Sequence, residues 1–424
     1  MLDRKLEMQV RDIPIIYEKF SALIGENVWK RRALEIKSAI KGNRYSEFYL
    51  TSENEVALAF NRLRDVISKY GALPISMLES GDYPILAFAD SVLLMVESCD
   101  KEMGRRLVQR VRGSFKNPAD LRALRLELFI AAHCAHKGYE VVWPEMTNIG
   151  TFDILVPGLG SNGLEIECKS ISEDKGRKVH GWDAIDFLNY LGKKLNIESS
   201  VPVNGIGLAV TVTVPDRLPS TSRLKVELAQ EVLKAVGNRE NLKLSDGTNI
   251  KIVEFDSSIF SGFNAQTDNQ MVMTALEEML GIRVSYGVVR RSTEGGALAI
   301  VVNSAIEDAV IEYVLDVFSK SAKKQLSRTR PGLLVAGFDG LDNKQLASIA
   351  AHDYRNVESP TTMKTGALGF LRNESRDHVI GTAFVCRPES ISVEPSVTRS
   401  TGSAYHFYNR ESSMWHNDMN DFFR

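Results

Sequence analysis

The sequence predicts a mixed α/β protein with a helical N-terminal domain, and three observations carry that reading. Up to about residue 113, long mixed segments such as WKRRALEIKSAIKG and EVALAFNRLRDVISKYG space their apolar residues helically and end on glycine. GSFKNPAD, residues 113 to 120, has the composition of a linker, and Asn117-Pro118 is a suitable helix start. Beyond it, helical stretches alternate with short apolar runs of strand character.

The helical domain is assigned to residues 1–117, an α/β domain to 118–390 and a tail to 391–424. After a helix over 119–137 the strands VVWPEM, TFDILV and LEIECKS are expected, then a helix at 181–196, strand GIGLAVTVTVP and a helix near 221–236. Strand NIKIVEFD, helix 268–280, strands VSYGVVRR and ALAIVVN, helix 305–327 and strand GLLVAGFD follow. LGFLRN and VIGTAFVCRP read as edge strands of the same sheet. The last stretch, rich in Ser and Thr and then in aromatics, reads as irregular.

A chain of 424 residues is long enough for two or three domains, and 44% hydrophobic with 25% charged residues is a globular balance. A formal charge of -2 advertises no polyanion, so a nucleic-acid site would have to be a local patch. Cys99, Cys134, Cys168 and Cys386 lie far apart with no zinc-like spacing, which fits a reducing, cytoplasmic setting. MLDRKLEMQVRDIP lacks the apolar region of a secretory signal, and YPILAFADSVLLMV is short and interrupted by Asp90, so no membrane partner is expected. No phosphate-cradling glycine loop and no G-x-S-x-G elbow is present.

The stretch FDILVPGLGSNGLEIECKS, residues 152 to 170, carries the chemistry. Strand alternation puts Leu164, Ile166 and Cys168 on one face and Glu165, Glu167 and Lys169 on the other. On the preceding strand Phe152, Ile154 and Val156 share the apolar face, and Asp153 points away with Leu155. PGLGSNG has hairpin-turn chemistry, so pairing brings Asp153 and Glu167 together with Lys169 nearby. Clustered carboxylates repel unless a hard divalent cation neutralises them, and a lysine beside that cation suits a phosphate under attack. Glu127 projects from the apolar face of helix 119–137, so it needs a cationic partner, either the metal through water or Lys169.

The order helix-Glu127, strand-Asp153, strand-Glu167-x-Lys169 resembles the PD-(D/E)xK nuclease superfamily, the restriction-endonuclease-like fold that also includes Holliday-junction resolvases. The resemblance covers roughly residues 119–215, with GIGLAVTVTVP continuing the core. It implies that Asp153, Glu167 and the Cys168 carbonyl bind Mg2+ or Mn2+. Lys169 would orient the attacking water and stabilise the transition state, and Glu127 would act in the outer shell. The implied reaction is phosphodiester hydrolysis, with DNA the favoured substrate, and such fusions resemble restriction and anti-phage defence effectors. Phe152 stands where the family often has proline. Glu165 shares the acidic face and is the rival metal ligand in a shifted register; only Glu167 completes E-x-K.

The loop bearing Lys175, Arg177, Lys178 and His180 follows the motif, and is either a holder of the phosphate backbone or a solvated loop. Segment 101–125, with eight basic residues, is either a wall of a nucleic-acid groove or an exposed helix face. His133, Cys134 and His136 lack a second ligand pair and do not read as zinc. Cleavage of a duplex needs two active sites, so a homo-oligomer is expected, and an activating partner protein is compatible with the reading. The rival readings are a non-catalytic nucleic-acid-binding scaffold on the same fold, and a coincidental hairpin in an α/β domain that binds a small molecule or protein.

Overall fold

The structure, a computed structural model, describes residues 7–160, 162–194, 196–262, 269–386, 389–394 and 397–423. Strand β1 (Glu7–Gln9) leads into α1 (Ile13–Ile24), α2 (Asn27–Gly42), α3 (Glu47–Glu53), α4 (Glu55–Tyr70), α5 (Asp82–Ser98), α6 (Lys101–Ser114) and α7 (Pro118–His136). A short helix α8 (Pro144–Thr147) precedes the hairpin β2 (Ile154–Val156) and β3 (Leu164–Ile171). Next come α9 (Gly181–Asn189), β4 (Ile206–Val214), α10 (Ser222–Asn238), β5 (Leu242–Lys243), β6 (Asn249–Asp256), α11 (Asn269–Leu280), β7 (Tyr286–Arg291) and β8 (Ala297–Ser304). The chain closes with α12 (Val310–Lys324), β9 (Gly332–Phe338), α13 (Asn343–Arg355), α14 (Thr362–Leu371), β10 (Val379–Cys386), β11 (Glu389–Glu394), β12 (Val397–Thr401) and β13 (Ala404–Tyr408).

Two compact units result: residues up to 35 with 54–175 and 310–424, and residues 36–53 with 176–309. The first holds a five-stranded sheet of order β13-β10-β9-β3-β2 and a three-stranded sheet β1-β12-β11; the second holds a five-stranded sheet β5-β6-β4-β8-β7. The range 118–390 thus contains two sheets that fall in different units. Strand GIGLAVTVTVP, expected to continue the hairpin's sheet, is β4 of the second unit, and the neighbour of β3 is β9, paired in parallel. A parallel neighbour requires a crossover, which α12 supplies, and the second unit's residues 176–309 lie in the sequence between β3 and α12.

In the first unit, α7 covers one sheet face, where Leu124, Leu128 and Ala131 cluster with Ile154, Ile166, Cys168 and Val335. On the opposite face Val314 and Phe318 of α12 and Met363 and Phe370 of α14 cluster with Leu155, Leu334 and Ala336. Both faces are therefore dry, as the unbroken apolar runs of β9 and β10 require. In the same unit α1, the start of α2, α4, α5 and α6 build on a ring stack in which Phe60 lies 4.9 Å from Phe20 and 5.1 Å from Trp29. The second unit clusters α9 and α10 side chains on one sheet face and α11 on the other.

Asn117 caps α7 by accepting the Ala119 N–H, with Pro118 at the first position. Four sequence expectations are corrected here. VVWPEM is no strand: Val142 makes a single bridge to Leu155, and Pro144 starts α8. LGFLRN lies largely within α14, because Met363, Ala367, Phe370 and Leu371 bury one helical face and Thr361 caps it. VIGTAFVC, the described part of VIGTAFVCRP, is β10, flanked by β9 and β13 rather than lying at an edge. Nor is the tail irregular: β13 pairs antiparallel with β10, Met419 and Phe422 are buried, and His133 Nε2 contacts the Phe422 carbonyl at 2.6 Å. No helix among the described residues is long and apolar enough to cross a membrane.

Candidate active site

The hairpin register pairs Ile154 with Ile166 and Val156 with Leu164, so Asp153 would stand opposite Glu167. The ladder stops one residue short of it. Asp153 precedes β2, and its Oδ2 accepts the Cys168 N–H at 2.7 Å, replacing the missing strand carbonyl. Because a strand residue turns its N–H and C=O to the same edge, the Cys168 carbonyl also faces the edge that β2 leaves. The turn between the strands uses Gly163 at φ 82°, where a Cβ would meet the Pro157 backbone at 3.1 Å. Phe152, expected on the face of Ile154, packs instead with Leu155 in the opposite cluster, since it lies outside the strand.

Glu167 is 1% exposed, and Lys169 Nζ lies 2.5 Å from its Oε1. Glu167 Oε2 and Glu127 Oε2 accept no hydrogen bond. Glu127 is 3% exposed, and its partner is neither Lys169 nor a metal: Arg110 Nη2 of α6 donates to its Oε1 at 2.7 Å. Burial pushes the Glu127 and Glu167 carboxyls up to about 8, and the Asp153 charge pushes both further against the pull of Arg110 and Lys169 respectively. Burial raises Asp153 to about 6, opposed by the Cys168 N–H and Lys169. Glu145, on α8, raises all three.

Four carboxylates against the two cations Arg110 and Lys169 leave a formal deficit that one divalent cation would balance. Among the described residues, no three His, Cys, Asp or Glu side chains converge to hold a metal by themselves. That count does not exclude magnesium, which keeps several waters and takes only one or two carboxylates. Asp153, Glu167 and the Cys168 carbonyl fit such a site, and the unpartnered Glu167 Oε2 is an oxygen it could use.

Glu165 is taken out of contention by its partners. Fully buried, it accepts from Ser327 N at 2.8 Å, Ser327 Oγ at 2.5 Å and Arg330 Nη1 at 3.4 Å, anchoring the turn before β9. Glu165→Ala is expected to lower stability by about 1–3 kcal/mol, because it removes the buried acceptor that holds Ser327 and Arg330 in place. Thermal unfolding checks this; an unchanged melting temperature would contradict the anchoring role.

The basic segments are less available than the sequence suggested. In 101–125 every arginine has an internal partner: Arg105 and Arg106 meet Glu102, Arg110 meets Glu127, Arg112 the Leu23 and Ile24 carbonyls, Arg122 Asp339 and Arg125 Glu55. Lys178 donates from Nζ to Asp216 and from its backbone to Asp308, Lys175 lies over the Tyr313 ring, and His180 is the residue before α9. Arg177 is half-buried in the same loop. His133 and Cys134 are packing residues on α7, with His133 against Phe422 and Phe423.

Two residues of the cluster escaped the sequence reading. Arg110 was seen only as one charge of a basic run; its signal was the short connection between α6 and α7, which makes the two helices neighbours. Glu145 carried no signal once VVWPEM was read as a strand. No protein-family model, curated protein or solved structure matches this chain.

Proposed function

We propose that the protein is a Mg2+- or Mn2+-dependent endonuclease with a restriction-endonuclease-like core. It would act on nucleic acid, DNA by preference, in the cytoplasm, as a restriction or anti-phage defence effector. The observation that carries the reading is the meeting of Asp153, Glu167 and Lys169 at the end of the hairpin, with a buried carboxylate oxygen left without a partner. The succession α7, β2, β3, with α7 packed on the paired strands, supports it.

In this reading Asp153, Glu167 and the Cys168 carbonyl hold the cation, which supplies Lewis-acid polarisation of the phosphodiester and a lowered pKa for water. Lys169, partly exposed, places a positive charge and donors where negative charge develops on phosphorus-bound oxygens. Glu127 holds an acceptor oxygen inside the site, and the apolar layers beneath keep bulk water out. A pairing of two chains would serve duplex cleavage.

A second reading, a non-catalytic nucleic-acid-binding scaffold on the same fold, draws on the lack, among the described residues, of three converging metal-ligating side chains. Incubation with plasmid, linear DNA and RNA, with Mg2+, Mn2+ or chelator, separates the two. Metal-dependent cleavage lost in Asp153→Ala and Lys169→Ala is the expected result; cleavage surviving both substitutions would sink the site assignment.

A further inference from the structure

Helix α6 lies outside the hairpin and α7 that carry the E-x-K pattern, yet it touches the acid cluster at two points. Arg106 and Arg110 are four residues apart, so they share a face of the helix. Arg106 Nη1 donates to the Met146 carbonyl at 2.7 Å and so fixes α8, the short helix that carries Glu145. Arg110 Nη2 donates to Glu127 Oε1 at 2.7 Å. The remaining Arg110 nitrogens have no acceptor among the described residues, and the side chain is 32% exposed.

A buried ion pair kept only for stability is a poor bargain, since apolar residues of similar volume usually serve as well or better. The neighbours of Glu127 on α7, Leu124, Leu128 and Ala131, are of that kind. A carboxylate retained among them with one oxygen bonded and the other buried and unpartnered is set up for a ligand. Arginine suits the holding task because its planar fork fixes a carboxylate's orientation and it stays charged at every working pH.

We propose that Arg110 is a positioning residue for the hydrolysis: it clamps Glu127 through Oε1 so that Oε2 stays directed to the cluster, making α6 of the helical region part of the active site. The inference rests on the nuclease reading. It names a dependence that the E-x-K pattern does not contain, that of the hairpin centre on a helix preceding it.

The test uses the full chain, plasmid DNA and Mn2+, with Mn2+ binding followed by electron paramagnetic resonance. Arg110→Ala should lower kcat by about 10–100-fold with little change in KM, the scale of losing an outer-shell partner. Arg110→Lys should recover part of the loss, and added guanidinium ion at sub-denaturing concentration should restore Arg110→Ala. In a Glu127→Gln background Arg110→Ala should add little, because the two act as a unit. Wild-type kcat in folded Arg110→Ala, or an equal loss with and without the Glu127 carboxylate, overturns the clamp while leaving the nuclease reading intact. If Arg110→Ala does not fold, the lysine variant carries the test: full activity there with no dependence on Glu127 overturns the clamp. A wild-type chain that neither binds Mn2+ nor cleaves overturns both.

Discussion

Glu167→Gln is expected to abolish cleavage and at the same time to raise the melting temperature of the metal-free protein. The activity loss should reach at least about 10^3-fold, or about 4 kcal/mol of transition-state stabilisation, because the substitution removes a proposed metal ligand. The stability gain follows from burial. Glu167 is almost wholly buried with Oε2 unpartnered, and its carboxyl is pushed up to about 8 in spite of Lys169. A neutral amide of the same shape escapes that desolvation, and Lys169 is exposed enough to be hydrated on its own. We expect a gain of about 1–3 kcal/mol, the order of the cost of burying a carboxyl that is held near 8 when folded and ionises near 4 when unfolded. Thermal unfolding in chelator, beside plasmid cleavage in Mn2+, reads both effects. A Glu167→Gln protein that melts below wild type would mean that the carboxylate is structural.

The second large effect is a pH dependence that Mg2+ should reverse. With folded values of about 8 for Glu127 and Glu167 and about 6 for Asp153, all three lie above the values near 4 of an unfolded chain. Between about pH 4 and pH 8 the folded, metal-free protein therefore binds more protons than the unfolded one. These groups contribute most to stability below their unfolded values, and that contribution is lost as pH rises through the folded ones. Mg2+ requires the ionised carboxylates, so its stabilising effect should grow over the same interval. Melting temperatures at pH 5.5, 7 and 8.5 with Mg2+ or chelator test this. A Mg2+ shift that is constant or shrinks with rising pH would contradict it.

What the sequence made legible was local. The E-x-K strand was readable because β3 alternates between an apolar and an acidic side, and the start of α7 because Asn-Pro is a helix-start signal. What it hid was non-local. β3 pairs with β9, Glu165 opposite Gly332, a parallel contact that no turn signal announces, whereas GIGLAVTVTVP was expected to continue that core. The choice between Glu165 and Glu167 depended on Ser327 and Arg330, residues equally remote. For β10 the signal was present and misread: an unbroken apolar run marks a strand covered on both faces rather than an edge. Glu127 was recognised as needing a cation, but Arg110 became its partner only through the packing of α6 on α7.

The central claim is that the buried carboxylates of Asp153 and Glu167 form a divalent-cation site. Titration of the full chain with Mn2+, followed by electron paramagnetic resonance, tests it without any assumption about substrate. The account predicts one bound Mn2+ per chain near pH 8, displaced by Mg2+, absent in Glu167→Gln and unaffected by Glu165→Gln. A wild-type protein that binds no Mn2+, or binding that persists in Glu167→Gln, would contradict it.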